Sequence, residues 1–150
     1  MDVLGNISLL DRNKIGYFAS SNIASLSVLP TLDWATEVAK RDDVAIVSGF
    51  HSKMEREVLD ILLRGRCNII CVLARPIYKA IPDKYRDAYA QDRVLFISNN
   101  TSISTMTSRY LCHKRNEFIV SIADELVFSS ISPESTLWQL SESSKKVLII

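Results

Sequence analysis

The chain has 150 residues and a formal net charge of +1, with 47% apolar and 23% charged residues. That is enough chain for one α/β-sized domain with a real core and too little for two ordinary ones, and the balance is that of a soluble globular protein rather than a disordered one. The near-zero charge excludes a polycation, so nucleic-acid binding needs a local basic patch; no apolar run is long enough to span a bilayer and no signal peptide opens the chain, so a cytoplasmic protein with no membrane partner is expected.

Met1–Asn13 carries "LGNISLL", apolar residues around a Gly-Asn break, and reads as a packed leading segment. Lys14–Ala19 is the first expected strand, followed by the small polar loop Ser20-Ser21-Asn22. Pro30 suits the first turn of a helix whose apolar stripe is Leu32, Ala35, Val38 and Ala39, with Trp34 nearby. Arg41-Asp42-Asp43 is a polar turn.

The organising stretch is Val44–Gly65, "VAIVSGFHSKMEREVLDILLRG". Val44–Val47 is apolar at every position, as a central strand covered on both faces is. Ser48-Gly49 breaks it. Ser52 and Glu55 have the spacing of a capping box, and Met54, Val58, Ile61 and Leu62 recur at helical spacing. Gly65 suits a C-terminal cap between Arg64 and Arg66. A strand that feeds a helix through a small-residue loop leaves amide donors and a positive dipole end, a place for a phosphate.

Asn68–Leu73 is the next apolar strand, and Arg75–Asp92 a polar connection with a short helix around Lys84–Ala90. Val94–Ile97 is a strand, Ser98–Ser108 an exposed Ser/Thr/Asn-rich loop, and Arg109–Ala123 a helix with Leu111, Phe118, Ile119 and Ile122 inward. Glu125–Phe128, a loop over Ser129–Ser135, a short helix over Thr136–Ser141 and the strand Lys146–Ile150 complete the chain. Alternating strands and helices imply one α/β domain, a three-layer α/β/α sandwich with a mostly parallel sheet. Right-handed crossovers bring the loops at Ser20–Asn22, Ser48–His51, Ala74–Arg75, Ser98–Asn100 and Ser129–Ser135 to one edge, where ligands of open α/β sheets bind. Cys67 and Cys71 share a strand face too far apart to pair, and Cys112 stands alone; reduced thiols without a metal site are expected. No P-loop, Ser/His/Asp set or other cofactor motif occurs.

The segments "SGFHSKMEREVLDILLRG" and "HKRNEFIVSIADELVF", with "LGNISLL" and "IGYFASSNIAS", resemble the DNA-processing protein A (DprA, or Smf) family, and most of all its short stand-alone members. The resemblance runs from about Leu4 to the end of the chain. It implies an extended Rossmann fold that binds single-stranded DNA through its phosphates, usually as a homodimer, and hands the DNA to a recombinase. Ser48-Gly49 matches the family's Ser-Gly after the second strand, Arg115-Asn116 its Arg-Asn at a helix start, and Ser20 and Ser21 fall on its first phosphate loop. Three places depart from the family's pattern. Its Gly-Ser-Arg reads Ala19-Ser20-Ser21, its Gly-Ile-Asp reads Lys53-Met54-Glu55, and its late Ser-Gly-Ser/Thr loop reads Ser132-Pro133-Glu134-Ser135-Thr136.

The candidate phosphate or nucleic-acid site therefore comprises Ser20, Ser21, Asn22, Ser48, Gly49, Phe50, His51, Arg75, Arg115, Asn116 and Ser135. Each has a plainer alternative. Phe50 is either a base-stacking ring or an apolar anchor, and Arg115 either a phosphate fork or a partner of Glu117 or Asp124. Arg75 and Lys79 form a basic rim or are simply solvated, as are Lys53 and Arg56. Glu55 is the one carboxylate beside the loop, a weak candidate for acid or base catalysis that its capping role already explains. The expected function is non-enzymatic binding of single-stranded DNA or a nucleotide. The alternatives are a nucleotide hydrolase working through Glu55 and a dimerising scaffold without a ligand.

Overall fold

The computed structural model describes residues 1–99 and 108–150. Asn100, at the end of one expected edge loop, and most of the Ser/Thr-rich stretch that follows lie outside the described residues. In chain order the elements are β1 (Asp2–Gly5), β2 (Asn13–Ala19), α1 (Ser25–Val38), β3 (Val44–Ser48), α2 (Lys53–Leu63) and β4 (Asn68–Leu73), then α3 (Arg86–Ala90), β5 (Val94–Ser98), α4 (Arg109–Ile122), β6 (Glu125–Ser129), α5 (Trp138–Ser141) and β7 (Lys146–Ile149). The sheet runs β1-β5-β4-β3-β2-β6-β7, parallel throughout except for β1, which pairs antiparallel with β5. The expected Rossmann-like sandwich is what forms.

Val44–Val47 of β3 are fully buried and alternate between two cores. Val44 and Ile46 join the layer made with α1, α2 and α3, and Ala45 and Val47 join the layer made with α4. Both faces are apolar because both are covered. In α2, Met54, Val58, Leu59 and Leu62 face the sheet, and Ser52 closes a complete capping box with Glu55. Beneath the end of β2, Ser129 Oγ lies 3.0 Å from Tyr17 Oη and 2.8 Å from Thr31 Oγ1, so a buried hydroxyl cluster ties α1 to β2 and β6. Burial also raises the Tyr17 phenol far above its ordinary range.

Three local expectations are corrected. The leading segment contains an edge strand, β1, which is short and half-exposed and so lacks the apolar run that marks the central strands. Pro30 lies inside α1 rather than in its first turn; Leu26, whose carbonyl loses its intrahelical donor there, is 91% exposed, so the cost falls where water can satisfy it. Gly65 has no left-handed backbone. It is a close-approach glycine: a Cβ there would lie 2.4 Å from the Ala39 carbonyl oxygen, which itself accepts from the amides of Arg66 at 2.6 Å and Cys67 at 3.2 Å.

Because β2 continues to β3 on one side while β6 lies on its other side, the strand order reverses between β2 and β6. The carboxyl ends of these two strands form the crevice where open α/β sheets hold ligands. Gly65→Ala is expected to lower stability by about 1–3 kcal/mol, since neither backbone can yield. Chemical denaturation checks this, and an unchanged midpoint would contradict the close-approach role.

Candidate phosphate-binding cleft

A cleft of about 500 Å³ opens at the β2/β6 crevice. Ser20, Ser21 and Asn22 enter it from the end of β2, His51 from the β3–α2 loop, Arg115 and Asn116 from α4, and Ser135 from the loop after β6. The two serine loops are stitched together. Ser20 Oγ donates to the Ser130 carbonyl at 2.7 Å, and the Ala24 amide donates to Ser130 Oγ at 2.7 Å. Phe50 and Ser130 both hold positive φ, 48° and 59°, so both rims carry non-glycine residues in the left-handed region. The Phe50 side chain is buried and its amide donates to Ser48 Oγ at 3.1 Å, which holds that conformation in place.

The amides expected to cradle a phosphate are already engaged. Glu55 Oε1 accepts from His51 N at 2.9 Å and Ser52 N at 3.1 Å, and Oε2 accepts from Ala19 N at 3.0 Å. The protein's own buried carboxylate thus occupies the anion position at the α2 N-terminus, where the dipole and the donors favour a negative charge. Three amides hold it, which makes it a brace between β2 and α2. The picture of loop amides open to a phosphate is corrected on this ground. Ser48 and Phe50 are corrected likewise: both are buried, and Phe50 packs in the core as an anchor, so its ring is not open to a base. Arg75 does not reach the cleft. Its guanidinium lies 4.8 Å over the Tyr78 ring and its Nε donates to the Pro76 carbonyl.

The available cation is Arg115. It is half-buried, in the middle of α4 rather than at a helix start, and its Nε donates to Asn116 Oδ1 at 3.2 Å. Its side chain lies on the Gly49 backbone, where a Cβ would come within 2.5 Å of Cζ. Gly49 therefore serves the site by making room for the guanidinium. Among the described residues no carboxylate pairs with Arg115. Glu117 lies near His113 and Lys114, and Asp124 pairs with Lys14. The two terminal nitrogens have no acceptor among the described residues, and Arg115 lines the cleft, which leaves its guanidinium available as a fork for a phosphate or carboxylate.

Cys112, which the sequence did not place at the site, also lines the cleft, as do Ser130, Ser132, Glu134 and Thr136 of the late loop expected at this edge, though only Ser135 of that loop stood among the candidate residues. Cys112 was detectable as the residue three before Arg115 on the same helix face. Burial pushes the Cys67 and Cys71 thiols up to about 11, which leaves Cys112 as the half-exposed thiol. Among the described residues no cluster of His, Cys, Asp and Glu is placed to hold a metal, and no helix is long and apolar enough to cross a membrane.

No protein-family model matches the chain, and no curated protein matches it by sequence. The structure superposes on DNA processing protein A (DprA) from Streptococcus pneumoniae with a TM-score of 0.74 at 15% identity, over 98% of this chain and 53% of that one. The chain thus spans about half the length of that structure. It also superposes on DprA from Helicobacter pylori, a structure described for its single-stranded DNA binding mode, with a TM-score of 0.73 at 18% identity, over 98% of this chain and 69% of that one. The fold that the sequence resemblance implied is the fold these DprA proteins share.

Replacing Glu55 by Ala strands three backbone donors. Glu55→Ala is expected to cost about 3 kcal/mol of stability and Glu55→Gln less, measured by denaturant unfolding. A cost below about 0.5 kcal/mol for Glu55→Ala would show that the brace carries little.

Proposed function

We propose that the β2/β6 cleft binds a phosphate-bearing ligand of the nucleic-acid class, a unit of single-stranded DNA or a nucleotide, and holds it without cleaving it. The observation that carries this reading is Arg115: a half-buried residue that lines the cleft, anchored at Nε, its guanidinium laid on a glycine, with no acceptor for its terminal donors among the described residues. A guanidinium whose terminal donors have no protein acceptor is a ready partner for an anion. The fold shared with DprA proteins, one of them described as binding single-stranded DNA, supports the same ligand class. The hydrolase alternative draws little support from Glu55, whose two oxygens are already engaged by three backbone amides.

Cys112 provides the readout, because it borders the cleft while the other two thiols are buried. A short oligodeoxynucleotide or a nucleoside monophosphate is expected to slow alkylation of Cys112. Arg115→Ala is expected to weaken protection about tenfold or more, and Gly49→Ala to weaken it by displacing the guanidinium while the fold persists. For the oligonucleotide, Arg115→Ala also flattens the salt dependence by about one contact. Alkylation unaffected by either ligand class at millimolar concentration would overturn the proposal.

A further inference from the structure

The charges around the cleft narrow the ligand further. Among the described residues, the charged groups lining it besides Arg115 are the braced Glu55 and Glu134, and no Phe, Tyr or Trp lines it. Single-strand channels are built differently: several cations track successive phosphates, and aromatic rings stack the bases. Within the cleft a second phosphate would meet Glu134 rather than a second cation among the described residues; Lys114 and Lys53 line neighbouring pockets. The cleft's volume of about 500 Å³ also falls in the range that encloses one small molecule.

Glu134 is the informative group. It is exposed on the loop after β6, and it has no hydrogen bond or ion pair among the described residues. A carboxylate is acceptor-only, so it repels phosphate and complements hydroxyl donors. Dinucleotide-binding folds use an acidic side chain in this way to hold a ribose hydroxyl. Here the carboxylate borders the same cleft as Arg115, and the Ser132 and Thr136 hydroxyls flank it without side-chain partners among the described residues.

Resting on the phosphate-binding reading above, we infer that the cleft takes a single ribonucleotide, its phosphate on Arg115 and its ribose diol on Glu134, in preference to a deoxyribose strand. Glu134 thereby becomes a specificity-determining residue, and Asn116 positions the Arg115 fork.

The test measures Cys112 protection by the four ribonucleoside 5′-monophosphates, their 2′-deoxy counterparts and a ten-residue oligodeoxythymidine. The intact chain and its Glu134→Gln and Arg115→Ala variants are compared. The expected result is protection by at least one ribonucleotide at about tenfold lower concentration than by its deoxy counterpart, the worth of one hydrogen bond to a charged acceptor. Glu134→Gln is expected to bring that ratio close to one and to strengthen oligodeoxythymidine binding, while Arg115→Ala weakens every ligand. Equal protection by ribo and deoxy forms, a ratio untouched by Glu134→Gln, or protection by the oligonucleotide alone would overturn the ribonucleotide assignment while leaving phosphate binding intact. Protection by none of them would overturn both.

Discussion

The carboxylate of Glu55 joins two ends of the fold that would otherwise each present orphan donors. One oxygen takes the amides of His51 and Ser52 at the start of α2, and the other takes the amide of Ala19 where β2 ends. A helix N-terminus at the edge of a parallel sheet is an anion site by construction. Here the anion is built into the chain, one turn inside the helix it caps. The interaction fixes the angle between β2 and α2, and with it the rim on which Ser20, Ser21, Asn22 and His51 stand.

The site's electrostatics follow from that occupancy. With the helix end neutralised internally, the positive charge lining the cleft among the described residues is that of Arg115, reached from α4 on the opposite face of the sheet. Its guanidinium lies where Gly49 leaves space, so the Ser-Gly break after β3 works as a seat for a side chain from another element. The resulting cleft pairs one fork-shaped cation with hydroxyls and the Glu134 carboxylate, a composition suited to a small ligand with both a phosphate and hydroxyl donors.

Much of this was legible in the residues. The uninterrupted apolar strands β3 and β4 and the capping-box spacing Ser52–Glu55 are local signals, and each element appears where its pattern places it. Ser20, Ser21, Asn22, His51 and Ser135 come together because crossover handedness sends their loops to one edge, and Arg115 and Asn116 reach the same cleft from α4. What escaped was non-local. The capping box accounts for Glu55 within α2, but nothing in its neighbourhood announces the bond to Ala19, 36 residues away. Gly49 and Gly65 read as flexible punctuation, whereas their partners, Arg115 and Ala39, are set by packing. Phe50 stayed open between a base-stacking ring and an apolar anchor because sequence cannot tell a loop aromatic that turns inward from one that turns outward; its ring is buried.

The division of labour between Glu55 and Arg115 is most directly tested by NMR titration of the isotope-labelled protein with inorganic phosphate and then with a nucleoside monophosphate. Both the backbone amides and the arginine Nε–H signals are followed. The account predicts that the Arg115 Nε–H moves in a saturable way while the His51 and Ser52 amides, held by Glu55, stay near their starting positions. Saturable shifts concentrated at His51 and Ser52, with Arg115 unmoved, would contradict it.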